Sequence, residues 1–192
     1  RPNGATPLPN GNILITEIRS RRISEVRPDG FVVYSCDSPA YYPSDAQPTP
    51  RGTIIVADYL AEGAIYEIDH TGHVLWQFGP YTPDDKQDRA LNQPSLAVEM
   101  PNGNVIANDD FNHRVVVIDK QTKQIVWQYG HTSLRGNAPG YLDIPDGLDW
   151  RHDGGALAAG VVEGEATAQP TLQVTAEATA EVTNLPTQAA TP

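Results

Sequence analysis

Apolar side chains recur along the first 160 residues in short bursts of alternating character. Asn12-Ile13-Leu14-Ile15-Thr16, Thr53-Ile54-Ile55-Val56-Ala57 and Asn104-Val105-Ile106-Ala107-Asn108 each follow a glycine and fit a period of two, not 3.6. A second set reads Arg22-Ile23-Ser24-Glu25-Val26, Ala64-Ile65-Tyr66-Glu67-Ile68 and Arg114-Val115-Val116-Val117-Ile118. The third set is Phe31-Val32-Val33-Tyr34, His73-Val74-Leu75-Trp76-Gln77-Phe78 and Ile125-Val126-Trp127-Gln128-Tyr129. Its first two members follow tight reversals, Asp29-Gly30 and Thr71-Gly72, and its third follows a longer link over 120–124. Asp-Gly is a hairpin signal because Gly accepts positive φ and Asp bonds its own backbone. The pattern predicts short antiparallel strands and no helix.

These bursts belong to a repeat. Residues 94–104 have two earlier gap-free copies, at 43–53 and 2–12, and a fourth, partial copy begins at Pro145. Gly11, Gly52, Gly103 and Gly154 fix the register with spacings of 41, 51 and 51 residues, and Tyr34, Trp76 and Trp127 repeat it at 42 and 51. A short strand before each turn, near Ala5, Ala46 and Ala97, brings the count to four per unit. Four short antiparallel strands at this period make a propeller blade, and a unit of that size cannot bury its own apolar face without a neighbour. The fold class is therefore all-β: a β-propeller fragment over 1–161 with about three four-stranded blades and the start of a fourth. The recurrent Tyr34, Trp76 and Trp127 read as packing between blades. Polar inserts at 80–93 and 131–144 widen the later spacings, and loops of this kind collect on one face, where binding residues concentrate.

After Gly160 the character changes. Residues 162–192 contain no Lys, Arg or aromatic residue and carry Thr at every fourth position from 167 to 191, interrupted by Pro170 and Pro186. Such a segment buries too little apolar surface to offset chain entropy, so it reads as a disordered tail or spacer. Its Ala, Thr and Pro content resembles the stalks of exported bacterial surface proteins.

Charge narrows the function classes. With 24 Asp plus Glu against 13 scattered Lys plus Arg, the chain carries a net charge of −11 and has no basic patch, which disfavours nucleic acid. Cys36 is the sole cysteine, so no intramolecular disulfide forms and a metal-thiolate role has no support. No stretch approaches the roughly 20 apolar residues that cross a bilayer.

The segment Pro101-Asn102-Gly103-Asn104, followed by Ala107-Asn108-Asp109-Asp110-Phe111-Asn112-His113-Arg114-Val115 and Ile118-Asp119, resembles the NHL-repeat pattern. Trp76-Gln77-Phe78-Gly79 and Trp127-Gln128-Tyr129-Gly130 resemble the NHL-like and arylsulfotransferase-like propellers of bacterial secreted or surface proteins. The resemblance covers roughly residues 1–160. It implies an extracellular or envelope module that binds a small molecule, glycan or protein on its loop face. Its alternative implication is an enzyme that moves sulfate between phenols through a catalytic histidine, or an inactive fragment of one.

Specific candidates follow. Glu17 with Arg22 and Asp109 with Arg114 join consecutive strands as acid–base pairs, and Asp58 holds the acidic position of the second unit, where Glu62-Gly63-Ala64 replaces the base. Asp58, Asp109, His113 and Arg114 are the binding candidates; His131 and His152, both in loops, are the catalytic ones. No metal site and no cofactor is expected, although Asp109, Asp110 and Asn112 offer hard oxygens that suit calcium. Three blades leave apolar end faces and strand edges open, so the expected partners include a second copy closing the ring, unless further blades belong to the same protein.

Overall fold

The computed structural model describes residues 2–81 and 89–148. They form three sheets, each a four-stranded antiparallel meander in chain order. The first blade comprises Pro2–Pro7 (β1), Ile13–Glu17 (β2), Arg22–Val26 (β3) and Val32–Asp37 (β4). The second comprises Pro43–Pro48 (β5), Ile54–Asp58 (β6), Ala64–Ile68 (β7) and Val74–Phe78 (β8), and the third Ala97–Glu99 (β9), Val105–Asp109 (β10), Arg114–Asp119 (β11) and Gln124–Gly130 (β12). A 3₁₀ turn at Asp110–Asn112 is the only helical element among the described residues. The architecture is the propeller fragment that the repeat predicts. The fourth copy lies largely outside the described residues, as does the segment 162–192, and residues 145–148 form no strand.

Turn chemistry sets the strand ends. The turns between the first and second strands are closed by main-chain bonds from Leu8 to Asn12, Thr49 to Thr53 and Met100 to Asn104, at 2.8–2.9 Å. Gly11, Gly52 and Gly103 take φ of 84°, 78° and 86° there, the left-handed step of a three-residue hairpin loop. The register also slips by one residue at equivalent places, between Glu25 and Val26, Glu67 and Ile68, and Val117 and Ile118. Each slip is a bulge that tightens the strand twist.

Alternation then divides each blade into a forward and a backward face. Leu14, Ile23, Cys36 and Tyr34 face forward from the first blade and meet Ala46, Ile54, Val56 and Ile68 of the second. Ile55, Ile65, Phe78 and Trp76 repeat this arrangement against Ala97, Val105, Ala107, Val116 and Ile118 of the third. Tyr34 and Trp76 are thus packed between blades as expected, while Trp127 is 43% exposed. The inner strands lie side by side, β1 against β5 and β5 against β9. Polar side chains bridge them at their starts. Asn3 Nδ2 donates to the Ser44 carbonyl at 2.7 Å and Ser44 Oγ to the Ser95 carbonyl at 2.6 Å.

Candidate functional site

Antiparallel meanders place the chain's connections at two ends. One, the loop end, gathers the hairpins between second and third strands and the links between blades. The other, the turn end, gathers the remaining turns. All four binding candidates belong to the loop end.

Asp109 and Arg114 close the β10–β11 hairpin as predicted. Arg114 Nε meets Asp109 Oδ2 at 2.7 Å, and both side chains are 0% exposed. Asp109 also accepts from the Asn92 main chain at 2.7 Å and Asn112 Nδ2 at 2.9 Å, while Arg114 reaches Gln128, Thr132 and the Ala90 carbonyl. Burial pushes the Asp109 carboxyl upward, opposed by Arg114 and the two other donors. The pair ties the link entering the third blade to its hairpin. Asp58 does the same for the second blade without a base, accepting from the Tyr42 and Tyr41 main-chain N–H groups at 2.7 and 3.1 Å. Burial raises its pKa, and those two N–H groups oppose the shift. Glu17 and Arg22 pair at 2.6 Å in the first blade, but at the surface.

His113 occupies the left-handed position before β11, with φ of 53°. Its Nδ1 accepts from the Ile144 main chain at 3.3 Å and lies 3.7 Å from Asp143. His131 is in the loop after β12, its ring 4.3 Å from that of Tyr141. His152 lies outside the described residues. Asp110, buried, accepts from Ser95 Oγ at 2.8 Å, and its pKa is pushed up to about 7 by burial, with Asp146 and Asp109 adding to the shift and Ser95 opposing it. Among the described residues, no three His, Cys, Asp or Glu side chains converge in the manner a metal ion needs.

The open space at this end lies elsewhere. A cleft of about 760 Å³ runs between the first two blades, lined by Ile18, Arg19, Arg21, Tyr41 and Tyr42. The β2–β3 hairpin supplies the arginines and the link from β4 to β5 supplies the tyrosines. Arg21 stands at the position His113 holds in the third blade, also left-handed at φ 48°. Its carbonyl accepts from the Ser38 main chain at 2.7 Å, which couples hairpin to link. Its guanidinium sits 5.4 Å from the Tyr41 ring centroid, and Tyr42 packs on Tyr59 at 5.5 Å. Asp58 thus acts at second hand here, because its two hydrogen bonds fix the backbone that carries Tyr41 and Tyr42. The Arg21 guanidinium over the exposed Tyr41 ring, with Arg19 in the same lining, forms a surface for an anionic group attached to a flat or sugar-like body.

No protein-family model matches the sequence, and no curated protein is significantly similar to it. Among solved structures, a protein of unknown function from Bacteroides caccae is similar with a TM-score of 0.53 and 18% identity over 67% of this chain and 45% of that one. Hydrazine synthase of Kuenenia stuttgartiensis is similar with a TM-score of 0.51 and 21% identity over 67% of this chain and 36% of its own. Virginiamycin B lyase from Staphylococcus aureus gives 0.49 and 21%, over 67% and 40%. The chain therefore spans less than half the length of each. The first two likenesses bear on the fold alone and agree with a β-propeller-like arrangement.

Proposed function

We propose that this chain is a ligand-binding β-propeller module whose loop end, at the cleft between the first two blades, holds an acidic small molecule or glycan. The observation that carries this reading is the cleft lined by Arg19, Arg21, Tyr41 and Tyr42, with the Arg21 guanidinium 5.4 Å from the Tyr41 ring centroid. A chain of net charge −11 repels anions over most of its surface, so two arginines in the lining of one cleft make a local exception. The NHL-like segment at 101–119 and the Thr-rich segment at 162–192 support an extracellular or envelope module carried on a spacer. No helix among the described residues is long and apolar enough to cross a membrane. Titration calorimetry with uronic-acid and sulfated oligosaccharides tests the reading. The double variant Arg19→Ala/Arg21→Ala should lose about tenfold or more in affinity, since charge-assisted hydrogen bonds contribute roughly 1.5–3 kcal/mol each. Equal binding of the neutral parent sugar would overturn it.

The same arginines support a second reading, because a sulfate ester is one of the anions they fit. In that reading the chain is arylsulfotransferase-like, and His131 or His152 accepts the sulfate before passing it to a phenol. Turnover of 4-nitrophenyl sulfate that disappears in His131→Ala or His152→Ala would favour the enzyme over the binding module.

A further inference from the structure

The two blade junctions share the same positions at the turn end and fill them differently. At the second junction, Glu67 of β7 and Glu99 of β9 point their carboxylates into the seam, with side chains only 6% and 3% exposed. Two cations answer them. Lys120 Nζ donates to Glu67 and, at 2.9 Å, to Glu99, and Arg51 reaches both carboxylates as well. The Lys120 ammonium lies 5.5 Å from the Trp76 ring centroid, and the indole Nε1 donates to the Lys120 carbonyl at 2.9 Å. The seam is closed by a lysine held between an aromatic ring and two acids.

Register assigns the counterparts at the first junction. Glu25 stands for Glu67, Tyr34 for Trp76, Asn10 for Arg51, Pro48 for Glu99 and His70 for Lys120. Both cations and one acid are gone, and the remaining acid is still there. What lies in their place is a cavity of about 290 Å³, lined by Leu8, Leu14, Tyr34, Ile54 and His70 with Glu25 in its wall. Glu25 is 8% exposed. Its hydrogen bonds, from Asn10 Nδ2 and Asn12 Nδ2, both end on Oε1, and Oε2 accepts none among the described residues. That oxygen keeps some solvent access, and a largely buried carboxylate beside apolar walls gains from a positive partner.

We propose that this inter-blade cavity binds a small organic cation, a primary ammonium on an aromatic or alkyl body, with its charge on Glu25 where the Lys120 ammonium meets Glu67 in the neighbouring seam. The apolar walls take the body. A bare metal ion is disfavoured by the same walls, since one carboxylate offers too few oxygens. The segment 162–192 contains no Lys or Arg and so supplies no such side chain. His70 stacks on Tyr34 at 4.6 Å with 14° between the rings, so the ligand lies beside that pair. The net charge of −11 draws cations toward the molecule. This site is separate from the loop-end cleft and of opposite charge preference.

The test uses the full 192-residue chain, with benzylammonium, benzyl alcohol and benzoate as probes, followed by NMR shifts at Tyr34 and His70. Benzylammonium should bind about tenfold or more tightly than the alcohol, with benzoate not bound, because a charge-assisted bond is roughly twice as strong as a neutral one. Glu25→Gln should remove that preference. His70→Lys, which places an ammonium where the neighbouring seam carries Lys120, should fill the cavity from within and abolish benzylammonium binding while the amide spectrum keeps its dispersion. Arg19→Ala/Arg21→Ala should leave benzylammonium affinity unchanged, so failure of the loop-end reading is seen apart from failure of this one. Equal binding of alcohol and ammonium, undiminished affinity in Glu25→Gln, or no shift at either residue would overturn the proposal.

Discussion

The second blade and its two neighbours are copies of one pattern with different surroundings. In β6 all five residues are buried and in its third-blade counterpart β10 four of five, whereas in β2 only Leu14 and Thr16 are; among the outer strands Phe78 of β8 is 0% exposed while its counterpart Tyr129 of β12 is 46% exposed. The strands differ little in apolar content. Only the second blade has a described neighbour on each side. Burial in this architecture depends on the seam a strand joins as well as on its place in the blade, so equivalent substitutions in different blades should have unequal effects.

The largest contrast is expected between Phe78 and Tyr129, which hold the same position in β8 and β12. Phe78→Ala empties a fully buried site and should cost about 3–5 kcal/mol in urea unfolding; Tyr129→Ala should cost under about 1 kcal/mol. Comparable losses would mean that Tyr129 is covered in solution. The acid–base pairs sharpen the same contrast. Arg114→Ala leaves Asp109 buried and unpaired and should cost about 3–5 kcal/mol, against about 0–1 kcal/mol for Arg22→Ala, whose side chain is 48% exposed beside Glu17.

A smaller, pH-dependent effect separates Asp110 from Asp69 and Asp119. The latter two sit in exposed turns where Thr71 and Thr122 lower their pKa values. Asp110 is raised to about 7, so its neutral form is favoured by the fold. A carboxyl raised on folding contributes full stability below its unfolded value, and that contribution is lost as pH rises through the folded one. Between about pH 4 and pH 7, stability should therefore fall by no more than about 4 kcal/mol, at 1.4 kcal/mol per unit, and Asp110→Asn should flatten the profile in thermal scans. The smallest effect concerns salt. Raising sodium chloride from 0.1 to 1 M should cut the already modest effect of Arg22→Ala and leave that of Arg114→Ala nearly unchanged, because only the exposed pair is screened.

Strand positions were largely legible in the sequence. Arg22–Val26 and Ala64–Ile68 coincide with the predicted bursts, and β2, β6 and β10 start one residue later because the residue after the turn glycine closes the turn. The fourth strand of the first blade runs on to Asp37, past its apolar stretch, since Ser35 and Cys36 continue the ladder with Ser24 and Ile23. The acid–base hairpins were visible as well, whereas their burial was not, because Glu17–Arg22 and Asp109–Arg114 look alike until the surrounding chain is placed. The loop-end cleft is not legible in the same way, because the long inserts carry the stronger composition signal and the link holding Tyr41 and Tyr42 is short. The signal that could have found it is register: a β2–β3 hairpin and the link to the next blade must share an end. In the sequence Glu25 is one polar position of a strand, and its place in a seam emerges from its counterpart Glu67 beside Lys120.

The polar links along β1, β5 and β9 have a consequence for assembly. Asn3 and Thr6 give to the Ser44 and Ala46 carbonyls and Ser44 gives to the Ser95 carbonyl, while Gln47 gives back to Thr6. Each blade is thereby set against the next by main-chain carbonyls as well as by apolar packing, so the angle between neighbouring blades is fixed by directional bonds.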